Sequence, residues 1–349
     1  MSKAAAGDSD ILETVLWAHL RLQQYDEATA FAESHGMLRD PSTREQLRLA
    51  RAHPLTMEMV GLTILPFTDD ALSPYMPGIS VKVDGHDQIA RLDTGGSFLH
   101  LTRTQAKQMG VQHAGATREF AGLMSGTVSY GTTHLELGDI RIDNVPTAVH
   151  ADRTIASAPI AEAFGVEVGP IIGTNILALF ASTIDSHGKR LVLSNPDDPA
   201  VNREHQIMFQ GPAWQPTVDI PFGLIESHML VALATYGDRT MPMFVDSGLV
   251  AVDTEHGQAA VLIPLETATL WSLSNLKPKQ LTTLQNSFAL MSVSRDDGTA
   301  MVVSDRTWKQ FGQWSGVHVT GLISYGFLKH YAWSIDFRRR VLSIHRPAG

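Results

Sequence analysis

The chain contains no cysteine among its 349 residues, and this absence excludes disulfide bonds, thiolate nucleophiles and zinc sites built on cysteine. No apolar run reaches the roughly 20 residues that a membrane-spanning helix needs, and the first residues lack the charged start and long apolar core of a signal peptide. We therefore expect a protein without a membrane partner, located in the cytoplasm, or in the periplasm or outside the cell if a leader was removed.

Basic residues are scarce as well. The 27 lysines and arginines are outnumbered by 36 acidic residues, and the formal net charge is -9. The longest basic run is the triplet within "FRRR" at 337–340, which is too short for the electrostatic footprint of a nucleic-acid-binding protein. We therefore expect no nucleic-acid partner.

Several common site motifs are missing. The 15 histidines show no HExxH or comparable metal-ligand spacing, and no GxGxxG or P-loop motif occurs. The stretch "GLMSG" at 122–126 lacks the spacing of a nucleophile elbow. Three histidines lie beside glycines in expected turns, in "SHG" at 34–36 and 186–188 and in "EHG" at 255–257. We expect these three to be solvated loop residues, and we expect neither a metal nor a cofactor.

Helical spacing of apolar residues dominates positions 10–53. Part of this stretch resembles the first helix, turn and second-helix start of a tetratricopeptide repeat, through Trp17, Leu20, Tyr25, Glu27 and Ala28. Such arrays normally need about three repeats to be stable, and one is visible here. We therefore predict a helical hairpin over residues 1–55 that packs on the main body, with the binding of a protein partner as the alternative.

After Pro54 the pattern changes to strands. The stretch "GISVKVDG" at 78–85 alternates apolar with polar residues and ends in an Asp-Gly turn. Turn clusters recur at short intervals up to about residue 195, which is typical of an all-β unit. The stretch "SNPDDPA" at 194–200 is the best candidate for a linker, because it combines prolines with acidic residues.

The remainder of the sequence repeats itself. "IIGTNILALFASTID" at 171–185 aligns with "LISYGFLKHYAWSID" at 322–336 at an offset of 151. "QIARLDTGG" aligns with "TMPMFVDSGL" in the second half, so that Asp93 matches Asp246. Internal repeats of this kind indicate duplicated structural units. We therefore predict a mainly β protein with two homologous β-barrel lobes related by a pseudo-twofold axis. The predicted lobes span residues 56–196 and 197–349.

Each half carries one Asp-Ser/Thr-Gly tripeptide after an apolar strand. A single copy is expected by chance on the order of once in six chains of this length, but two copies in register within a repeat indicate common construction. A pseudo-twofold axis would bring Asp93 and Asp246 together. Two carboxylates at about 3 Å share one proton, so one can activate water while the other polarises a carbonyl oxygen. We predict that this pair is catalytic.

The residues that follow the two aspartates suit that chemistry. Thr94 and Ser247 supply hydroxyls that can bond across the interface between the lobes and hold the two loops. Gly95 and Gly248 allow the backbone to approach the carboxylates and to direct N–H groups at them. We predict that these four residues support the pair.

Together these motifs resemble those of a known family. D-T-G at 93–95, D-S-G at 246–248, "IIG" at 171–173 and the short helix "LTRTQAKQMG" at 101–110 make the chain similar to the single-chain, two-lobed aspartic proteases of the retropepsin and pepsin superfamily, of the bacterial type. The resemblance implies retropepsin-like lobes, endopeptidase activity on extended peptides, a competent monomer, no cofactor, and a β-hairpin flap that closes over the cleft.

A flap candidate lies where the family places it, in "EFAGLMSGTVSYGT" at 119–132. Gly122, Met124 and Gly126 are the candidates for a mobile hairpin tip. Tyr130 is either the counterpart of the flap tyrosine of pepsin-like enzymes or an ordinary strand residue, and the sequence leaves both readings open.

Two positions depart from the family pattern. Ser324 stands where the second lobe should carry the glycine that follows two hydrophobic residues, and Leu249 is bulkier than the usual residue after the second D-S-G. Both leave the geometry of the second half-site open. Because Gly96 and Leu249 also lack side-chain donors beside the pair, we expect the pair to work closer to neutral pH than in pepsin-type enzymes.

Three functions remain open from the sequence. The first, which the sequence favours, is an aspartic-type peptidase that hydrolyses extended peptides in a cleft between the lobes. The second keeps the two carboxyls for non-proteolytic acid–base chemistry on a small molecule, since a fold does not determine a function. The third is a non-catalytic binding module whose N-terminal helices face a protein partner.

Overall fold

The structure is a computed structural model, and it is mainly β. It describes residues 24–39, 41–113, 118–121, 125–152, 162–167, 169–225, 228–253, 257–273, 281–296, 298–304, 308–309 and 319–348, with the isolated positions Leu12, Val15, Leu16 and His19. Within these residues the α-helices are α1 (Tyr25–Ser34), α2 (Pro41–Ala52), α3 (Arg103–Gln108), α4 (Thr174–Leu177), α5 (Pro199–Ile207), α6 (Leu265–Leu270) and α7 (Tyr325–Leu328).

The strands follow in two groups, before and after the predicted linker. The first group is β1 (Thr56–Glu58), β2 (Leu62–Pro66), β3 (Gly78–Val83), β4 (His86–Asp93), β5 (Leu99–Thr102), β6 (Arg118–Ala121), β7 (Ser125–Leu137), β8 (Ile140–His150), β9 (Ile171–Gly173), β10 (Ala181–Asp185) and β11 (Arg190–Ser194). The second group is β12 (Val218–Ile225), β13 (Met229–Tyr236), β14 (Arg239–Asp246), β15 (Val252–Asp253), β16 (Gly257–Gln258), β17 (Val261–Pro264), β18 (Leu281–Thr283), β19 (Phe288–Leu290), β20 (Val293–Arg295), β21 (Thr299–Val303), β22 (Leu322–Ser324), β23 (Ala332–Asp336) and β24 (Val341–His345).

Six strands of the first group close into a β-barrel, in the order β3, β4, β9, β5, β8 and β7, with β7 pairing back on β3. Alternate side chains of its strands point inward and fill the barrel interior. In β3, Ile79, Val81 and Val83 are buried while Ser80 and Lys82 are exposed, because successive side chains of a strand point to opposite faces. The strand predicted from "GISVKVDG" is confirmed.

The turn after β3 leads directly into the strand that carries the first aspartate of the predicted pair. Asp84 and Gly85 have φ angles of 47° and 79°, and Val83 pairs with His86 across them. A two-residue turn with positive φ at both positions is the form that matches the twist of a β-hairpin. The predicted Asp-Gly turn is therefore confirmed, and β4 runs from it to Asp93.

The second sheet has 14 strands and contains members of both groups. Its central path runs β18, β21, β17, β22, β14, β13, β12, β24, β23, β10, β11 and β2. Off this path, β19 pairs with β13, and β20 pairs with β19. Strands from both sides of the predicted linker are therefore hydrogen-bonded into one continuous sheet. The linker itself is short, since Ser194 ends β11 and Asp198 caps α5 by accepting from the N–H groups of Ala200 and Val201.

The two groups of strands meet where β10 pairs with β23. Thr183 lies opposite Ser334, and their hydroxyl oxygens are 2.5 Å apart. His205 Nε2 lies 2.8 Å from the Thr183 hydroxyl, and His345 Nε2 lies 2.8 Å from that of Ser334. Burial lowers the pKa of both histidines to about 4, so both rings are neutral at pH 7 and a hydrogen-bonded polar chain crosses the sheet.

The N-terminal stretch contains helices α1 and α2, which contact each other, and α2 also contacts β7. Of the residues that resemble a tetratricopeptide repeat, Trp17 and Leu20 lie outside the described residues, and Ala28 is buried on α1. Tyr25 accepts a hydrogen bond from the Leu55 N–H at 3.4 Å. The predicted hairpin over residues 1–55 stays a prediction.

In the part of the chain that is described, no helix is long and apolar enough to cross a membrane.

A buried ion pair holds the segment before β3 against β4. Arg91, on β4, is 3% exposed, and its Nη2 donates to Asp70 Oδ1 at 2.8 Å. Burial alone would raise the pKa of Asp70, but hydrogen bonds from Arg91, Thr68 and Ser73 outweigh burial and hold this pKa well below its usual range. The carboxyl is therefore ionised at neutral and at mildly acidic pH.

We expect Asp70→Asn to lower the free energy of unfolding by about 3–5 kcal/mol, because it leaves the Arg91 guanidinium buried without a counter-charge. Urea unfolding measures this change. Asp197→Asn is the matched control, since it breaks a pair with Arg338 in which both side chains are more than half exposed; exposed pairs contribute little, and its urea midpoint should equal that of the wild type. Equal midpoints for the two variants would contradict the assignment.

Candidate active site

The two aspartates of the predicted pair end corresponding strands. Asp93 is the last residue of β4, which runs parallel to β9 and places Asp93 opposite Gly173. Asp246 is the last residue of β14, which runs parallel to β22 and places Asp246 opposite Ser324. Each aspartate therefore follows an apolar strand that is held by a parallel neighbour, and each begins a loop.

Each loop is closed by its own aspartate. The Gly95 N–H donates to Asp93 Oδ1 at 2.7 Å, and the Gly248 N–H donates to Asp246 Oδ1 at 3.0 Å. This is the turn in which an aspartate side chain accepts from the backbone two residues further on. It fixes one oxygen of each carboxyl and leaves the other oxygen for contacts outside the loop.

Crossed hydrogen bonds join the two loops. The Thr94 N–H donates to the Ser247 hydroxyl at 3.0 Å, and the Ser247 N–H donates to the Thr94 hydroxyl at 3.0 Å. The Thr94 hydroxyl then donates to the Val245 carbonyl at 2.8 Å, and the Ser247 hydroxyl donates to the Leu92 carbonyl at 3.0 Å. Thr94 and Ser247 are fully buried, so every one of these groups is paired within the protein and the two loops are held at one separation.

Gly95 and Gly248 are required because there is no room for a side chain at either position. A Cβ on Gly95 would lie 2.8 Å from the carboxyl of Asp246, and a Cβ on Gly248 would lie 2.1 Å from the Cγ of Asp93. Each loop backbone therefore packs directly on the carboxyl of the opposite loop. Any side chain at either position would push the two aspartates apart.

The carboxyls of Asp93 and Asp246 are hydrogen-bonded to each other. Burial raises the pKa of Asp93, against hydrogen bonds from Gly95 and Asp246 that lower it. Burial, followed by the negative charge of Asp93, raises the pKa of Asp246 well above its ordinary value. Two such carboxyls titrate as one coupled unit, which keeps one shared proton to a higher pH than an isolated carboxyl would.

Ser324 fits its position without displacing the second aspartate. At the corresponding place in the first half, a Cβ on Gly173 would lie 2.6 Å from the carbonyl oxygens of Gly96 and Phe98, so only glycine is accommodated there. The Ser324 hydroxyl instead donates to the Ala259 carbonyl, and it accepts from the Gly326 N–H at 2.9 Å. The departure from the family pattern therefore leaves β22 paired with β14 at Asp246.

Leu249 also has a defined environment. It packs beside the buried apolar side chains of the second group of strands, among them Met229 and Phe244. Its N–H lies 3.4 Å from the Asp246 carbonyl oxygen, so the loop after Asp246 closes as the loop after Asp93 does.

The predicted hairpin is present, whereas its role as a flap stays a prediction. β6 and β7 pair antiparallel, with Phe120 opposite Gly126 and Ala121 opposite Ser125. The candidates Gly122 and Met124 lie at its tip in sequence and fall outside the described residues. Tyr130 lies beyond the hairpin, where β7 pairs with β8, and its ring is 6.5 Å from that of Phe98 in an edge-on arrangement. It thus sits against the loop that follows Asp93.

Two groups at this site were missed in the sequence. The Thr174 hydroxyl donates to the Thr94 carbonyl at 2.9 Å and is fully buried. The sequence feature that could have identified it is its position directly after "IIG". His100 lies on β5, where its Nε2 is 3.2 Å from the backbone nitrogens of Ser97 and Phe98. Its signal is a lone polar residue inside the apolar stretch "FLHL".

Two of the three predicted turn histidines are described and are exposed as predicted, and the two aspartates that the repeat aligns, Asp185 and Asp336, form hydrogen bonds within turns. His35 and His187 are exposed in turns, while His256 lies outside the described residues. Asp185 accepts from the Gly188 N–H and Asp336 from the Arg339 N–H, which is turn chemistry. Among the described residues, no group of three or more histidine, aspartate or glutamate side chains is arranged to hold a metal ion.

We expect Gly248→Ala to destabilise the fold by about 1–3 kcal/mol, the usual cost of overpacking, because the added methyl group would overlap the carboxyl of Asp93. Urea unfolding measures the loss. Gly223→Ala on β12 is the control, since a Cβ there meets no atom within 4 Å, and it should unfold near the wild-type midpoint. A Gly248→Ala protein as stable as this control would show that the loops do not pack as described.

No protein-family model matches this chain, and no curated protein is significantly similar to it in sequence. The geometry of the two aspartate loops is therefore the basis on which a function can be argued.

Proposed function

We propose that the protein is an aspartic endopeptidase in which Asp93 and Asp246 activate water against a peptide bond. The observation that carries this proposal is the crossed hydrogen bonding of Thr94 and Ser247, together with the contact between the two carboxyls. A surface turn needs no such arrangement. Two buried loops that press one carboxyl on another are costly in electrostatic energy, and they suit a site that uses a shared proton.

In the proposed reaction, one carboxyl of the coupled pair is ionised and acts as the base, and the other holds the shared proton and acts as the acid. As water attacks the carbonyl carbon, the ionised carboxyl takes a proton from the water and the protonated carboxyl gives its proton to the carbonyl oxygen. When the tetrahedral intermediate collapses, the C–N bond breaks and the amine leaves with the proton taken from the water, while the hydroxyl proton returns to the carboxyl that first gave it. General acid–base catalysis of this kind involves no covalent intermediate.

The proposed substrate is an extended peptide. Such a chain can add strand-like backbone hydrogen bonds to the protein around it, and the hairpin of β6 and β7 belongs to the same sheet as the strand that ends in Asp93. In this proposal the hairpin forms one wall of the peptide cleft, and the site is complete in one copy of the chain.

A two-lobed, pseudo-symmetric architecture is part of the proposal, and the strand pairings support it. Parallel pairing of β4 with β9 has its counterpart in β14 with β22, and that of β5 with β8 in β17 with β21. Thr183 and Ser334, which the sequence repeat aligns at an offset of 151, lie opposite each other in the central sheet. A twofold axis between the two halves would pass through such a pair.

We expect Asp93→Asn and Asp246→Asn each to lower peptide turnover by about 10²–10⁴-fold, the usual contribution of a general acid or base. Cleavage of a peptide library, with and without a statine-type inhibitor, measures this loss. Asp336→Asn is the matched control, because an Asn oxygen can still accept from the Arg339 N–H, and its activity should be unchanged. A wild-type protein that is folded yet cleaves no peptide between pH 3 and 8 would refute the proposal.

The working pH follows from the two raised pKa values. The pair must hold one proton, and this singly protonated form is lost both as the pH falls through the first pKa of the pair and as the pH rises through the second. Burial raises the pKa of both carboxyls, so we expect these limits to lie above the ordinary carboxyl value of about 3.9. We expect the pH–rate profile to have its maximum above about pH 3.5, and a maximum below that value would contradict the assigned environment.

A further inference from the structure

The loop after Asp93 is held from two sides by different kinds of group. On one side, the carbonyl oxygens of residues 96, 97 and 98 accept from the backbone N–H groups of Thr174, Asn175 and Gly173, at 2.8, 2.9 and 2.8 Å respectively. On the other side, the N–H groups of residues 97 and 98 point at one atom, His100 Nε2, at 3.2 Å each. Apart from the two aspartates, His100 is the titratable group among the described contacts of this loop.

The hydrogen bonds determine which ring nitrogen of His100 carries its proton. A backbone N–H can only donate, so Nε2 must present its lone pair to Ser97 and Phe98. The proton of the neutral ring is therefore on Nδ1. His100 Nδ1 lies 2.8 Å from His150 Nε2, so the His150 Nε2 must accept, and its own proton is on Nδ1. The backbone thus selects the tautomers of both histidines.

The surroundings disfavour a positive charge on this pair. The planes of the two rings are inclined by 22° and their centroids are 5.0 Å apart. His228, which precedes β13, is close enough to oppose a charge on His100. Burial is the main reason that the pKa of His100 lies well below its ordinary value, and charge repulsion from His150 and His228 lowers it further. Burial also lowers the pKa of His150 to about 4. His150 and His228 are the titratable groups that face His100 from the neighbouring elements.

A proton added to the pair must break part of this arrangement. If it binds His100 Nε2, the N–H groups of Ser97 and Phe98 lose their acceptor. If it binds His150 Nε2, the N–H of His150 Nε2 faces the N–H of His100 Nδ1 and their hydrogen bond is lost. His100 can restore this bond only by moving its proton from Nδ1 to Nε2, and the N–H groups of Ser97 and Phe98 then again lose their acceptor. Either outcome loosens the segment that joins Asp93 to β5.

We propose that His100 is a positioning residue, and that the neutral His100–His150 pair holds the loop of Asp93 in its catalytic geometry and releases it when the pair is protonated. This inference rests on the proposed peptidase function. It gives the site a second acid limit, independent of the two aspartates, and it assigns a role to two histidines outside the proposed catalytic pair.

The test compares pH–rate profiles of the wild type and of His100→Gln. A glutamine oxygen can reach the place of Nε2 and accept from both N–H groups, but it does not titrate. We expect kcat/KM of the wild type to fall about 100-fold per pH unit once the pH lies below the pKa values of both pairs, since two protons are then bound, one by the aspartate pair and one by the histidine pair. We expect His100→Gln to retain activity at pH 6 and to fall only about tenfold per pH unit.

Two further variants make the comparison specific. His100→Leu removes the acceptor, so we expect its kcat at pH 6 to fall at least about tenfold with KM little changed. His205→Gln replaces a buried histidine whose pKa is also lowered to about 4 but which bonds Thr183 and Ser194 away from the loop; its profile should match that of the wild type. If kcat/KM of His100→Gln falls as steeply with decreasing pH as that of the wild type, the proposal is overturned.

A measurement without turnover separates this inference from the proposed function. Long-range ¹H–¹⁵N spectra of the wild-type protein report the tautomer and charge of each histidine. We expect His100 to be neutral with its proton on Nδ1 at pH 6. A proton on Nε2 at that pH would overturn the inference whether or not peptides are cleaved. A wild type with the expected tautomer and no cleavage at any pH would instead refute the peptidase and, with it, the catalytic role of the pair.

Discussion

The arrangement of the site depends on the crossed hydrogen bonds between Thr94 and Ser247. Two buried carboxyls repel each other when both are ionised and are poorly solvated in any state, so they come together only where other interactions hold their loops. Each hydroxyl here accepts one backbone N–H and donates to one backbone carbonyl of the opposite strand. All four bonds form between residues more than 150 positions apart in sequence, so they tie the two halves of the chain at the point where the carboxyls meet.

This constraint explains several local features at once. Gly95 and Gly248 each pack on the opposite carboxyl, since the crossed bonds leave no room for a Cβ. Gly173 approaches the loop of Asp93 as closely, whereas Ser324 has the space to bond with Ala259 and Gly326. The two halves therefore hold their aspartates in corresponding positions with different neighbouring side chains. What both halves require is the position of the aspartate, and the residue beside it can differ.

Neutral buried histidines recur around this framework. His205 and His345 flank the Thr183–Ser334 contact in the central sheet, and His100 and His150 support the loop of Asp93. In each case burial is the main cause of the lowered pKa. A group that is neutral in the fold and protonated in the unfolded chain favours unfolding as the pH falls from about 6.5. We therefore expect these buried histidines to make the fold less stable in acid than near neutral pH.

The sequence by itself determined the local elements and the proposed pair. Alternation identified β3 and its Asp-Gly turn, and the internal repeat matched Asp93 with Asp246, because strand periodicity and duplicated motifs are carried by neighbouring residues. Only the tertiary structure decided how the second half-site closes around Ser324, which carbonyl Thr174 bonds, and that His100 meets His150 beside the loop of Asp93. Those outcomes depend on contacts between residues distant in the chain, on the space beside each backbone atom and on burial, none of which a local pattern of residues specifies.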